Sequence, residues 1–133
     1  MRIEIRTHVR DELIDVTRLV AQAVAESGVP DGAALVYCPH PTAGIAVNEH
    51  ADPDVADDIV AWLAEMSPRE RRWRHVEGNA DAHVKATLVG NSALVPVRGG
   101  RLDLGTWQGI FFCEFDGPRS RHIDVQMLAS AGG

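Results

Sequence analysis

The amino-acid sequence predicts one α+β domain, residues 1–133, in which mostly antiparallel strands form an α/β sandwich with two to three helices. Three observations lead to this class. Apolar and polar residues alternate near both ends of the chain, which is the period of half-buried strands. Helical stripes with capping signals occupy the middle, and a Gly99-Gly100 pair between two short apolar runs is typical of a β-hairpin.

The N-terminal third predicts two short strands followed by a helix. Residues 2–9 alternate polar and aliphatic side chains, and residues 12–16 repeat this pattern after a turn. Thr17 is a candidate N-cap for a helix with one apolar side, which Gly28 ends. An alternative start of this helix at Asp11 stays open.

Two further strands are expected around a proline–histidine–proline segment. Residues 33–38 are almost wholly apolar, as in a buried central strand, and residues 42–48 resume as a strand after the prolines. In the second strand Ile45 and Val47 share one face. The opposite face is small and polar, as expected of a strand that lines a pocket, and it carries Thr42, Gly44, Ala46 and Asn48.

Two helices are expected in the middle of the chain. An Asp-Pro-Asp sequence at 52–54 is an N-terminal capping signal for a helix that ends at Ser67. The apolar stripe of this helix, assigned to the core, comprises Val55, Ile59, Trp62 or Leu63, and Met66. A further helix, residues 80–89, is expected to start after Asn79 and to bury Ala82, Ala86 and Val89.

The C-terminal third predicts antiparallel strands. Their expected ranges are 93–97, 101–104, 107–115 and 121–128. The glycine pair joins the first two strands, and an Asp-Gly-Pro turn joins the last two. In the final strand one side is apolar and the other polar, since Ile123, Val125 and Met127 alternate with His122, Asp124 and Gln126.

The charge balance disfavours polyanionic partners. Thirteen Lys and Arg residues against 19 Asp and Glu residues give a net charge of −6 with neutral histidines. A negative field repels phosphate backbones and anionic lipids. Neither a nucleic acid nor a membrane is therefore expected as a partner.

Several features predict a cytoplasmic location. No apolar run approaches the ~20 residues that cross a bilayer, and residues 1–6 alternate charged and aliphatic side chains, unlike a signal peptide. Cys38 and Cys113 form no CxxC pair, so both are interpreted as buried small hydrophobic residues.

Polar residues of catalytic types gather at the ends of the predicted elements, where sites are usually built. One group is His40, Thr42, Asn48 and Glu49; a second is His75, Glu77, Asn79 and His83. A third comprises Gly105, Thr106, Trp107, Gln108, Glu114, Asp116, Arg119 and Arg121. Structural roles stay open for these residues, with His40 at a strand end, His75 in a solvated loop and the arginines in surface ion pairs.

No standard phosphate loop or hydrolase motif is present. The sequence contains no GxGxxG, GxxxxGK[ST], GxSxG or HExxH. The residues alone therefore indicate a polar pocket rich in histidine and carboxylate, with metal assistance as an option.

Several segments together resemble the YjbQ family over residues 2–128. They are His40-Pro41-Thr42-Ala43-Gly44-Ile45, Asn48-Glu49, Asp52-Pro53-Asp54-Val55, Ala82-His83-Val84-Lys85 with Gly90 and Ser92, Gly105-Thr106-Trp107-Gln108-Gly109-Ile110, Glu114, and Asp116-Gly117-Pro118-Arg119 with Arg121. The GTWQ element together with the preceding histidine motifs is the specific part of this resemblance.

The resemblance implies an α/β sandwich that assembles as a homotrimer and has a weak, secondary thiamine-phosphate synthase activity. That reaction joins a pyrimidine-methyl pyrophosphate to a thiazole phosphate and releases pyrophosphate. The resemblance also implies a polar pocket, which is formed by His40, Asn48, Glu49, His75, His83, Thr106, Gln108 and Glu114.

The chain departs from the family pattern at two positions. Pro41 follows His40 where many members have threonine, which removes a hydroxyl and a backbone donor. His50 stands where many members have asparagine, which adds an imidazole at the expected pocket. Both departures bear on metal preference and substrate.

The resulting hypothesis is a pocket enzyme for a small phosphorylated metabolite. Its metal ligands are His40, His75 and His83, around a divalent cation such as zinc or magnesium. Its catalytic residues are Glu49, His83 and Arg119, and its substrate contacts are Asn48, Asn79, Thr106, Trp107, Gln108 and Arg121. Two alternatives stay open: a metal-assisted hydrolase of a small phosphorylated or amide substrate, and a non-enzymatic trimer that binds a metal or metabolite.

Overall fold

The computed structural model describes residues 1–131, so residues 132 and 133 of the predicted domain lie outside the described residues. The described chain forms three helices, α1 Thr17–Ser27, α2 Pro53–Met66 and α3 Ala80–Val89. Its strands are β1 Arg2–Arg6, β2 Glu12–Asp15, β3 Gly32–Tyr37, β4 Ala43–Glu49, β5 Ser92–Arg98, β6 Arg101–Leu102, β7 Gln108–Glu114 and β8 Ser120–Ala129. Within residues 1–131, no helix is long and apolar enough to span a bilayer.

The strands form two sheets. A five-stranded sheet has the order β1-β8-β3-β5-β6, and a three-stranded sheet has the order β2-β7-β4. The strand pairs are antiparallel in both sheets. This architecture confirms the predicted α+β sandwich.

The main core lies between the two sheets, and α1 packs into the same layer. Val20 and Val24 of α1 are buried against side chains of both sheets, among them Val36 of β3 and Phe112 of β7. The inward faces of both sheets therefore share one apolar layer, which fixes the relative positions of their strand ends.

A second apolar cluster lies between the three-stranded sheet and the outer helices α2 and α3. It includes Leu63 of α2, Ala86 of α3 and Phe111 of β7. The prediction that Trp62 and Met66 belong to the core is wrong, because these side chains are 58% and 45% exposed. Leu63 occupies the buried stripe instead of Trp62.

The predicted capping signals of α2 and the end of α1 are confirmed. The Asp52 carboxylate accepts a hydrogen bond from the backbone N–H of Asp54 at 2.9 Å, and Pro53 occupies the first turn. Gly28 ends α1 with a φ of 72°, a left-handed conformation that favours glycine.

The start of α1 differs from the prediction. Thr17 is its first helical residue and not its N-cap, and its hydroxyl donates to the carboxylate of Asp15. A start at Asp11 does not occur, because β2 pairs with β7 over the intervening residues. Sheet pairing therefore takes precedence over the helical pattern here.

The face of β4 that the sequence predicts to line a pocket packs against α3 instead. A Cβ atom on Gly44 would lie 2.5 Å from the carbonyl oxygen of Gly90, at the end of α3. Ala46 packs against the second apolar cluster. The prediction is wrong for these two residues. The lack of a side chain at Gly44 and the small methyl group of Ala46 allow the helix and the strand to approach closely.

Both cysteines are buried and free, which confirms their predicted structural role. Cys38 is 2% exposed and Cys113 is 1% exposed. Burial raises the pKa of both thiols, and that of Cys113 reaches about 12. The thiols therefore stay protonated near neutral pH.

Candidate functional site

A cavity of about 670 Å³ opens between the β3–β4 connection and α3. His40 and His83, two of the three predicted metal ligands, both line it. The other lining residues are Tyr37, Cys38, Pro39, Pro41, Ala43, Ala86, Thr87, Gly90 and Asn91. The volume lies within the ~300–1,000 Å³ typical of sites for small molecules.

The His40 ring is held by the backbone of His122. Its Nε2 atom lies 3.1 Å from the amide nitrogen and 3.0 Å from the carbonyl oxygen of His122, so each ring tautomer finds one partner. Burial and, secondly, the positive charge of Arg121 lower the pKa of His40 below 6.5. The imidazole is therefore neutral at neutral pH, and its Nδ1 atom is left for a ligand or a proton.

Arg121 forms a buried ion pair with Glu114 close to His40. The two side chains are 3% and 0% exposed. Arg121 Nε donates to Glu114 Oε1 at 2.9 Å, and its Nη2 donates to the hydroxyl of Thr42 at 2.9 Å. A substrate contact does not fit this position, because Nε and Nη2 are already engaged and the side chain is buried. The pair instead supports the strand ends beneath the site.

His75 contacts His83 directly. The ring centroids are 5.2 Å apart and the rings meet edge to face. His75 Nε2 also lies 3.6 Å from a carboxylate oxygen of Glu77. His83 therefore lines the cavity and also contacts the segment that precedes α3. The name "cavity cluster" denotes His40, His75 and His83 below.

Asn79 and Arg119 converge on one carboxylate. Asn79 Nδ2 donates to Asp116 Oδ2 at 2.9 Å, and Arg119 Nη2 donates to the same oxygen at 3.0 Å. Asn79 Oδ1 is buried and has no hydrogen-bond partner among the described residues. It is an acceptor that a ligand or water would satisfy.

The remaining predicted site residues lie at the other end of the three-stranded sheet. Glu49 is paired with Gln108 in the β4–β7 register. Ala43 lines the cavity at the start of β4, and Glu49 ends that strand, which places them about 20 Å apart in extended chain. Trp107 is 65% exposed. The name "distal cluster" denotes Asn48, Glu49, Thr106, Trp107 and Gln108.

The additional imidazole of His50 lies beside the distal cluster and does not line the cavity. Its Nδ1 lies 2.9 Å from Asp15 Oδ2. The ring covers Gly109, where a Cβ atom would approach it to 2.5 Å. Burial would raise the pKa of Asp15, but hydrogen bonds from Thr17 and His50 outweigh burial and lower it.

The metal donors of one chain are incomplete. Within residues 1–131, no three His, Cys, Asp or Glu side chains converge to hold a metal ion. Zinc takes three or four protein ligands. His75, the third predicted ligand, contacts His83, but the described part of the chain does not bring it together with both His40 and His83 in one ligand group. Magnesium prefers oxygen ligands, and the described lining of the cavity contains no carboxylate.

A buried network of charges at the start of α3 was not predicted. Asp81 accepts hydrogen bonds from Arg10 at 2.9 and 3.1 Å, and Lys85 Nζ donates to Asp11 at 2.7 Å. Burial would raise the pKa of Asp81, but Arg10 and Lys85 outweigh burial and lower it. The signal in the sequence is the spacing of Asp81 and Lys85, four apart on one helix face. This network anchors the turn of α3 that carries His83.

Two antiparallel sheets, two outer helices and a cavity lined by two imidazoles define the class: a small α+β sandwich protein with a histidine-lined cavity. The chain belongs to the YjbQ family, since residues 1–130 match the family described as UPF0047 protein YjbQ-like. This finding confirms the resemblance seen in the sequence.

Two curated relatives illustrate the match. The chain is 54% identical over 127 residues to the UPF0047 protein YugU of Bacillus subtilis, and the aligned region covers 95% of this chain and 96% of that protein. It is 48% identical over 127 residues to the UPF0047 protein MJ1081 of Methanocaldococcus jannaschii, covering 96% and 92% respectively.

Solved structures confirm the fold. An uncharacterized YjbQ/UPF0047 protein from Clostridium acetobutylicum matches with a TM-score of 0.94 at 51% identity, over 96% of this chain and 99% of that chain. A YbjQ-like protein of unknown function from Sulfolobus solfataricus matches with a TM-score of 0.94 at 41% identity, over 98% and 96%.

Proposed function

We propose that the cavity binds a small phosphorylated metabolite in the cytoplasm and that His40 and His83 act on it as acid and base. The specific reaction proposed is of the thiamine-phosphate synthase type. One observation carries the proposal: two imidazoles, of which His40 is held neutral, line a single cavity of about 670 Å³. Imidazoles with this property suit proton transfer near neutral pH.

The reaction makes defined demands on the site. The bond between the pyrimidine methylene carbon and a pyrophosphate oxygen breaks, and pyrophosphate leaves with the electron pair. The ring nitrogen of the thiazole phosphate supplies a new electron pair and forms a C–N bond to the same methylene carbon. Negative charge therefore develops on the leaving group and needs hydrogen-bond donors. Arg119 is half exposed and bonds Asp116 through Nε and Nη2, so its Nη1 is the proposed guanidinium donor, while His83 is the proposed general acid.

A second copy of the chain is part of the proposal. We propose a homotrimer in which the distal cluster of one copy faces the cavity of the next. In a cyclic trimer two different patches of the same chain meet, so Glu49 would reach His40 and His83. Exposed aromatic side chains at both places support this pairing, since Tyr37 is 41% and Trp107 is 65% exposed. A divalent cation, zinc or magnesium, is proposed only for this completed site.

The proposed activity is tested by measuring pyrophosphate release from the two thiamine precursors. Wild type should release pyrophosphate, and H40Q and H83A should each lose about 100-fold in rate. H8A is the matched control, because the His8 side chain is 72% exposed and outside the cavity. No release by wild type would overturn the synthase assignment, and bound metal without turnover would favour a binding role.

The shared site is tested by complementation. E49Q and H83A are each expected to be inactive alone. If the site is shared, trimers formed from an equal mixture should regain part of the activity, because some interfaces then contain wild-type Glu49 and His83. A stable monomer in sedimentation, or no recovery in mixed trimers, would contradict the shared site.

A further inference from the structure

We propose that residues 69–75, between α2 and α3, form an anion-capture segment that selects pyrophosphate- or phosphate-bearing substrates for the adjacent cavity. This inference rests on the proposed function of the cavity. The arginines of the segment are Arg69, Arg71, Arg72 and Arg74, four of the 13 Lys and Arg residues of a chain with a net charge of −6. The positive charge of this cluster locally reverses the negative electrostatic field of the chain.

The four arginine side chains are available to a ligand. All four are exposed, and none forms an ion pair or side-chain hydrogen bond with another residue of the described chain. Most other arginines are paired with carboxylates: Arg2, Arg10, Arg98, Arg119 and Arg121. One acidic residue, Glu70, lies among the four. The mutual repulsion of the four arginine side chains is relieved when an anion binds.

Contacts within the segment order it before any ligand arrives. Trp73 Nε1 donates to the carbonyl oxygen of Pro68 at 3.1 Å, and the N–H of Arg71 donates to the same oxygen at 3.4 Å. The guanidinium carbon of Arg71 lies over the Trp73 ring, 5.1 Å from its centroid. A cation–π contact of this kind holds the guanidinium in place, and its N–H groups can still donate to phosphate oxygens.

The end of the segment reaches the cavity. Arg74 directly precedes His75, so their Cα atoms are about 3.8 Å apart. The His75 ring contacts His83, which lines the cavity. Beyond His75, Asn79 Oδ1 is buried at the positive end of α3 and has no hydrogen-bond partner within residues 1–131. The segment therefore ends at an imidazole in contact with the cavity lining, which is where an anion held by the arginines would enter.

This arrangement selects between substrate classes. A compact, multiply charged anion gains from several guanidinium groups at once, whereas a neutral amide gains nothing. A long polyanion would also meet the negative charge of the rest of the chain. The inferred ligand is therefore the pyrophosphate or phosphate end of a small metabolite.

Calorimetric titration with inorganic pyrophosphate tests the segment. The variant R69Q/R71Q/R72Q removes three of its charges. The matched control R6Q/R18Q/R101Q removes three exposed arginines from β1, α1 and β6, so both variants have the same net charge. We expect about tenfold weaker binding and a flatter salt dependence for the first variant, and wild-type binding for the control.

The other outcomes separate this inference from the proposed function. One outcome is that wild type and both variants bind pyrophosphate equally while the NMR signals of the His40 and His83 rings shift. That outcome would overturn the capture segment and leave the cavity function standing. Binding that depends on the segment but leaves those histidines unperturbed would support anion capture and overturn the cavity function. Tighter binding of a single-stranded oligonucleotide than of pyrophosphate at equal ionic strength would overturn the small-anion assignment.

Discussion

The imidazole rings of His75 and His83 meet edge to face with 5.2 Å between their centroids, which joins the segment before α3 to the cavity wall. His83 owes its position to the helix that carries it. Asp81 and Lys85, on either side of His83 in sequence, are buried and paired with residues 10 and 11. The placement of His83 therefore depends on charges buried beneath α3.

Breaking this network should destabilise the protein. In D81N the Arg10 guanidinium and Lys85 lose a charged partner in a buried setting. We expect the free energy of unfolding to fall by about 3–5 kcal/mol, measured by urea denaturation. The control D103N removes an exposed partner of Arg98 and should cost less than about 1 kcal/mol. Equal effects of the two variants would contradict the structural role assigned to Asp81.

The close approach of α3 to β4 gives a steric prediction. In G44A the new Cβ atom would lie 2.5 Å from the carbonyl oxygen of Gly90, so the end of α3 must move. We expect a loss of about 1–3 kcal/mol in the free energy of unfolding. G105A is the matched control, because its Cβ atom would meet only the flexible end of Gln108 at 3.2 Å. A G44A protein as stable as G105A would be inconsistent with this packing.

The lowered pKa of His40 makes stability depend on pH. Burial and the charge of Arg121 hold the pKa of this residue below 6.5 in the folded chain. As the pH falls through 6.5, the unfolded chain takes up a proton that the folded chain does not, so the free energy of unfolding decreases. The decrease levels off below the folded-state pKa.

Substitution isolates this contribution. Urea denaturation between pH 5 and 8 should show a shallower pH dependence for H40Q than for wild type. Identical slopes for H40Q and wild type would show that the His40 pKa is not lowered on folding.

The buried thiol of Cys113 should resist alkylation. Its pKa is raised to about 12 by burial and, secondly, by Cys38, so little thiolate forms at pH 8. Peptide mapping after iodoacetamide treatment should show Cys113 unmodified in the native protein and modified in urea. Modification of the native protein at the denatured rate would contradict its placement in the core.

Local signals determined much of the fold in advance. The Asp52 cap, the Gly28 end of α1 and the glycine hairpin depend on residues close in sequence, and all three are confirmed. Contacts between elements that lie far apart in the sequence could not be predicted from such local patterns. The small face of β4 is compatible with a pocket or with a helix, and only the position of α3 decides between them.

The candidate site was predictable in its residue types and only partly in its grouping. His40 and His83 share a cavity, and His75 contacts His83. Glu49 follows His40 by nine positions, yet an extended strand separates it from the cavity. The spacing of residues in the sequence does not show at which end of such a strand a site lies. Only the structure therefore shows that the distal cluster is separated from the cavity.

We propose that His40 and His83, which line one cavity, bind one phosphorylated ligand. A two-dimensional NMR titration of the histidine ring signals with inorganic pyrophosphate, assigned with H40Q and H83A, tests this proposal. Both signals should shift together with a single dissociation constant, while the His8 signal should stay in place. Shifts confined to His8, or no shift at His40 and His83 at saturating pyrophosphate, would contradict it.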